Sequence, residues 1–404
     1  MKSPGGVDRR NGTGSVGRCP DLNGAGSGAR RMEQAGRERL KAACAGRVLF
    51  DEPLARHTSM GVGGPADVMV FPADLDDLVR CLRCLNEAGL PVTPVGNGTN
   101  LICRDGGVRG AIVVLKDLQD LRLDRETGER PPASGTHPGP PGVEILPGRE
   151  SGDPGDAPDS GRRGNGVGTQ GADGTARESR RETREPAAER MSPPRPDAVE
   201  VTAGAGVALQ ALVALALKEA LAGAEFLAGI PGSVGGAVRM NAGAYGRELS
   251  DILTAVVWLS RTGELRQTPR EALTFSYRRT DLPAEAMIAA ARFALHPGEA
   301  GAIRRAVDET LALRRAKHPL AQRNAGSIFK NPRPTPAGRL IEAAGLKGTR
   351  VGQAMVSEMH ANFIVNLGGA TAADVIALMD LIRARVRAHA GVDLEPEVRI
   401  IGEK

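Results

Sequence analysis

Apolar residues recur at helical spacing through Leu75, Leu78, Val79, Leu82 and Leu85, and Gly89 supplies a stop. That pattern predicts a helix over Leu75–Leu85. Short β-branched and apolar runs predict strands at Val68–Phe71, Val92–Val95 and Ala111–Leu115. A basic helical segment precedes them from about residue 38. After a long interval the pattern resumes with a strand over Ala198–Thr202 and a helix over Leu209–Leu221. From about residue 254 the order changes. Strands are expected at Ala255–Ser260 and Ile288–Leu295, helices at Ala302–Lys317, around Leu340 and at Ala372–Ala390, and a closing strand at Glu397–Ile401. Mixed strands and helices in this order indicate an α+β architecture.

Two stretches break the pattern. Residues 1–37 are rich in Gly, Ser, Arg and Asn, and residues 126–197 hold no Phe, Trp or Tyr. Neither can bury enough apolar surface to offset the entropy of ordering, so a disordered tail and a disordered insertion are expected. Loop-closure cost grows slowly with length, which makes a long surface insertion tolerable. Three ordered blocks remain: 38–125, 198–253 and 254–404.

Composition narrows the picture. The chain has 404 residues and only 2% aromatics, so its core must be built from Ala, Leu, Val and Ile. The net charge of +5 comes from arginines spread along the chain, without a basic run interleaved with aromatics. Nucleic acid is therefore not an expected partner. Five cysteines, odd in number and sparse, argue for a reducing compartment over a disulfide framework. Cys81 and Cys84 have redox spacing, but they lie inside the Leu75–Leu85 helical pattern, where core packing is the simpler reading. The N-terminus has no apolar signal region and no run of about 18 apolar residues exists, so a cytoplasmic protein without membrane insertion is expected.

Candidate chemistry lies in glycine loops and in three later segments. Gly96, Asn97, Gly98, Thr99 and Asn100 follow a short strand, where backbone N–H groups can converge on a phosphate. Gly229, Gly232, Ser233, Gly235 and Gly236 form a second such loop. Each is a weak signal alone, since Gly-rich turns are common. Gly204-Ala-Gly206 lacks the third glycine and the acidic partner of a dinucleotide fingerprint, so a Rossmann unit is rejected. The segment Ala325–Pro332 places Ser327, Lys330 and Asn331 within five residues, supplying a hydroxyl, a cation and a carboxamide. Tyr277-Arg278 sets a phenol beside a cation, against the alternative of an exposed surface loop. Glu395 and Glu397 open the last strand, and His360 reads as a structural histidine. No His/Cys/carboxylate cluster has metal-ligand spacing, so no metal is expected.

Taken in order, these segments resemble the UDP-N-acetylenolpyruvoylglucosamine reductase family. The resemblance rests on His57-Thr-Ser with Gly63-Gly-Pro-Ala-Asp67, Gly96–Leu101, Gly229–Ala237, Met240–Gly246, Phe275–Arg278, Ala325–Pro332, Val356–Asn366 and Leu394–Gly402. It implies a bipartite FAD-binding region of the PCMH/vanillyl-alcohol-oxidase type, joined to a C-terminal α+β substrate-binding domain. It also implies FAD as cofactor, NADPH as hydride donor and UDP-N-acetylglucosamine enolpyruvate as substrate, within peptidoglycan precursor synthesis. Carried over by motif, Ser327 would protonate the substrate's α-carbon, while Arg278 and Glu397 would stabilise the enolic intermediate. Tyr277, Lys330 and Asn331 would hold the substrate's phosphates or carboxylate. Glu395 is the rival carboxylate; Glu397 is preferred because the motif places its acid immediately before Val-Arg.

Thr99 and Thr280 stand where the family usually has Ser, both mild departures that keep the hydroxyl. The ordered length suggests the subgroup without an extra tyrosine-bearing lid. Two rival readings share part of the pattern: a flavin oxidase with the same FAD domain, and a catalytically silent UDP-sugar-binding protein. The first has no reason to carry Ser327, Arg278 and Glu397 together; the second predicts binding without turnover.

Overall fold

The computed structural model describes residues 34–124, 144–145 and 195–404. Most of the expected tail and insertion lies outside the described residues. Two departures are visible at their margins. The first helix, α1 (Gln34–Ala43), already starts inside the expected tail, with Leu40 fully buried. Glu144–Ile145, inside the expected insertion, form a short strand paired in parallel with Arg266–Gln267.

The first unit comprises β1 (Arg47–Pro53), β2 (Pro65–Phe71), α2 (Leu75–Glu87), β3 (Val92–Val95), β4 (Leu101–Cys103) and β5 (Val108–Val114). Its sheet has the order β1-β2-β5-β3, with β5 parallel to both neighbours. Those central strands are almost continuously apolar because helices and loops cover both faces. Helix α2 is capped by the Asp74 side chain, which accepts the Asp77 N–H at 2.7 Å. Cys81 and Cys84 are buried on α2, as the packing reading expects. The thiol expectation holds for Cys44, Cys81 and Cys103 and fails at Cys84, which is disulfide-bonded.

The second unit is built on a larger sheet. Its elements are β6 (Leu121–Asp124), β7 (Glu144–Ile145), β8 (Val199–Gly204), α3 (Leu209–Lys218), β9 (Leu221–Ala222), α4 (Val234–Arg239), the hairpin β10 (Gly243–Ala244) and β11 (Arg247–Glu248), β12 (Leu253–Leu259) and β13 (Leu265–Pro269). A second hairpin, β14 (Phe275–Ser276) and β15 (Arg279–Thr280), leads to β16 (Met287–Pro297) and α5 (Ala300–Lys317). The strand order is β6-β8-β16-β12-β13-β7, with β9 also on β16. This moves the boundary expected at 253/254. β16 pairs with β8 on one side and β12 on the other, so strands from both sides of that point share one sheet and one core. Strand pairing joins chain-distant edges, which periodicity within a strand does not report.

A separate core gathers residues after α5. It contains β17 (Arg323–Ser327), α6 (Ala337–Ala343), β18 (Arg350–Val351), β19 (Ala354–Val356), β20 (Phe363–Asn366), α7 (Ala372–Ala390) and β21 (Arg399–Ile401). Helix α7 starts with a Thr371/Asp374 capping box and ends at Gly391, whose φ is 68°. Several links tie this unit to the first. β21 pairs in parallel with β4, and Asp105 accepts the Ala372 and Ala373 N–H groups at 2.9 and 2.8 Å. These links close the space in which the candidate site lies.

Candidate active site

A cavity of about 310 Å³ opens where the three units meet. Both glycine loops line it, together with Arg278, Ser327 and Glu397. Residues separated by more than 200 positions in sequence thus face one space.

The first loop leaves β3 and has no regular structure. Among the described residues, the amides of Gly96, Asn97, Gly98, Thr99 and Asn100 donate to no acceptor. Five free donors in one turn form a concave seat for an anion. In the second loop, Ser233 is buried and its Oγ has no hydrogen-bond partner. A buried orphan hydroxyl costs free energy unless a ligand answers it. The glycines serve a further purpose. A Cβ at Gly98 would sit 2.1 Å from the His57 carbonyl oxygen, and one at Gly96 would sit 2.6 Å from Ser233 Oγ. Gly235 is bare because Ala205 Cβ lies 2.8 Å from where its own Cβ would be. Much of this glycine content therefore lets segments of chain approach one another. The free amides and the orphan Ser233 are donors suited to a phosphate-bearing ligand.

Tyr277 and Arg278 are the two turn residues between β14 and β15, and Arg278 has a φ of +60°. A non-glycine residue there costs about 1–2 kcal/mol. The turn aims the guanidinium inward: Arg278 Nε donates to Glu397 Oε1 at 2.6 Å and Nη2 donates to the Gly243 carbonyl at 3.2 Å. Burial opposes the Arg278 charge, but Glu397 outweighs it and holds the guanidinium above its ordinary value. Burial raises the Glu397 carboxyl above its ordinary value, although Arg278 and then Lys330 pull it back. The pair is thus a charge-assisted dyad with a proton more tightly held than on a surface glutamate.

Ser327 ends β17, opposite Phe363 of β20. Gly326 before it has a φ of 76°, and a Cβ there would meet nothing within 4 Å, so the backbone borders open space. Asn324 makes this turn by accepting the Gly326 N–H at 2.9 Å. Asn362 clamps the next residues. Its side chain accepts the Phe329 N–H at 3.0 Å and donates to the Phe329 carbonyl at 2.8 Å. Glu397 N–H donates to the Ile328 carbonyl at 2.8 Å, which sets Glu397 beside the serine segment. Asn100 Nδ2 donates to the Glu397 carbonyl at 3.1 Å, coupling the first loop to the same residue.

The two carboxylates separate cleanly. Glu397 lines the cavity with its side chain 13% exposed; Glu395 is 69% exposed and pairs with Lys330. Three expected substrate contacts lie off the cavity wall. Lys330 is engaged by Glu395, Asn331 Oδ1 accepts the Ala337 N–H at 3.1 Å at the start of α6, and Tyr277 packs against Arg278, 4.8 Å from ring centre to guanidinium. Cavity residues not singled out by sequence include Arg239, Arg314, His318 and Asn324. Arg239 donates to the carbonyls of Leu282, Pro283 and Ala286. His318 packs against Phe363 with ring centres 5.0 Å apart, and burial pushes its imidazole down to about 4. Only Arg399 had a signal in sequence, since it lies in the Val-Arg motif after Glu397. Among the described residues no group of three or more His, Cys, Asp or Glu could hold a metal ion.

Comparison with known proteins gives the class, a FAD-containing oxidoreductase. An FAD binding domain model matches residues 66–130 and 194–268. A model for the UDP-N-acetylenolpyruvoylglucosamine reductase C-terminal domain matches 318–401. The reductase of Syntrophus aciditrophicus is 46% identical, aligned over 91% of this chain and 96% of its own. That of Geobacter metallireducens is 39% identical over 91% and 98% of the two chains. The solved reductase of Thermus caldophilus superposes with a TM-score of 0.60 at 29% identity, covering 88% of this chain and 98% of its own. The chain belongs to the UDP-N-acetylenolpyruvoylglucosamine reductase family.

Proposed function

We propose that this cavity reduces UDP-N-acetylglucosamine enolpyruvate to UDP-N-acetylmuramate with electrons from NADPH, in the cytoplasm, as a step of peptidoglycan precursor synthesis. One observation carries the reading: Ser327 and the Arg278–Glu397 dyad face the same cavity as the unpaired amides of Gly96–Asn100. Those amides would hold the diphosphate of FAD, which would supply the hydride added at the enolpyruvyl β-carbon. That addition builds negative charge on the substrate's α-carbon and carboxylate oxygens. Arg278, charged and fixed by its turn, meets this charge with a directional donor. Glu397, raised by burial, adds a hydrogen bond to the same enolate oxygens when protonated and keeps Arg278 in place when ionised. The Ser327 hydroxyl delivers a proton to the α-carbon and takes one back from solvent, completing net addition of two hydrogens. Asn324 and Asn362 hold the serine segment so that this transfer starts from a fixed position.

The test separates the two half-reactions on the FAD-loaded protein under anaerobic conditions. NADPH is expected to bleach the visible absorption, and UDP-N-acetylglucosamine enolpyruvate is expected to restore it with formation of UDP-N-acetylmuramate. Failure of either half would sink the reading, and substrate binding without turnover would support a silent sugar-nucleotide binder.

A further inference from the structure

Four arginines line the cavity: Arg239, Arg278, Arg314 and Arg399. Three are accounted for. Arg239 is saturated by three backbone carbonyls, Arg278 is bound to Glu397 and Gly243, and Arg399 is exposed to solvent. Arg314 is different. It lies in the last turn of α5, its side chain is 7% exposed, and its buried Nε has no hydrogen-bond partner. Arg278 is the cation that acts on it, and among the described residues no carboxylate offsets that repulsion. Its guanidinium stands 5.6 Å from the centre of the exposed Tyr245 ring.

Its position is built. A Cβ at Gly229 would come 2.7 Å from Arg314 Cδ, so the bare Gly229 is the seat across which the arginine stem enters. Burying a cation without a counter-charge is costly, and arginine stays charged in proteins. Something anionic therefore completes this site. The free amides of Gly96–Asn100 already answer the cofactor's diphosphate, and Arg278 with Ser327 answers the enolpyruvyl carboxylate. Arg314 lines the same cavity as the exposed Leu320. We infer that Arg314 binds the diphosphate of the sugar-nucleotide substrate, a substrate-binding role that rests on the function proposed above.

The experiment uses the FAD-loaded protein and UDP as probe, in wild type, Arg314→Gln, Arg314→Lys and the exposed neighbour control Arg315→Gln. Loss of one charge-assisted hydrogen bond predicts a UDP Kd about 10- to 100-fold weaker for Arg314→Gln. Arg314→Lys should recover part of that loss, and Arg315→Gln should match wild type. Flavin content should stay at the wild-type value in all three variants, and the melting temperature should not fall in any of them. An unchanged UDP Kd in Arg314→Gln overturns the assignment, as does loss of bound FAD, which would make Arg314 a cofactor residue. Weakened NADP+ binding with UDP binding intact also overturns it. Should Arg314→Gln fail to fold, Arg314→Lys is read alone, with competition of inorganic pyrophosphate against UDP on wild type; no competition overturns the proposal. Wild type that turns over substrate yet shows no UDP binding overturns it too, while leaving the proposed function standing.

Discussion

Glu397→Ala removes one half of the Arg278–Glu397 dyad and leaves the other half buried. The side chains are 18% and 13% exposed, and after the change Arg278 keeps only the Gly243 carbonyl at 3.2 Å. Removing one partner of a buried ion pair costs about 3–5 kcal/mol, because the remaining charge loses its compensation. Replacing both partners by apolar residues of similar size is often close to neutral. Glu397→Ala is therefore expected to lose about 3 kcal/mol in urea unfolding, and Arg278→Met with Glu397→Leu to lose less than Glu397→Ala alone. Coupling between the two positions should exceed about 1 kcal/mol in a double-mutant cycle. The same measurement on Lys330 and Glu395, whose carboxylate is 69% exposed, should give about 1 kcal/mol or less. A Glu397→Ala loss under about 1 kcal/mol would refute the reasoning, since that is the scale of an exposed pair.

Four further outcomes are expected. Ser327→Ala should leave flavin reduction by NADPH largely intact and slow reoxidation by substrate at least about 100-fold, read by stopped-flow absorbance; equal slowing of both halves would contradict a proton-donor role. His318, lowered from 6.5 to about 4, stays neutral in the fold while the unfolded chain takes up a proton first. Its contribution is present above pH 6.5 and is lost as pH falls towards 4, so His318→Gln should flatten stability across that window; an unchanged slope would show that other groups govern it. Gly98→Ala places a Cβ 2.1 Å from the His57 carbonyl and should lower both melting temperature and flavin content; wild-type values would mean that the Gly98 loop and the His57 segment can separate without cost. Asn362→Ala orphans the Phe329 N–H and carbonyl, and should cost about 2–3 kcal/mol in unfolding, checked against the smaller effect expected at exposed Asn97.

Much of this was legible in one dimension. The helix over α2 appeared with correct phase because its buried residues recur every three or four positions. β3 and α7 were placed at their observed limits, and the start of α5 within two residues. Other features were out of reach. Whether 253/254 divides two units depends on β16 pairing with β8, and hydrogen bonding across strands leaves no mark on either sequence. The start of α1 at Gln34 was missed because its stretch is polar and one buried leucine, Leu40, gives little periodicity.

The sequence alone singled out Ser327, Arg278 and Glu397 as the candidates for the proposed reaction, since they sit in short motifs whose residue types and local order are recognisable without coordinates. Tertiary structure decided how those and their neighbours divide the work. Glu395 and Glu397 are two residues apart and chemically alike, yet Glu395 is exposed and meets Lys330 while Glu397 is largely buried against Arg278. Arg314 and Arg315 are adjacent and identical, yet only Arg314 turns into the cavity without a counter-charge. The physical reason is common to both pairs. The worth of a charge depends on its distance to other charges and on water's access to it, and folding sets both by joining chain-distant segments.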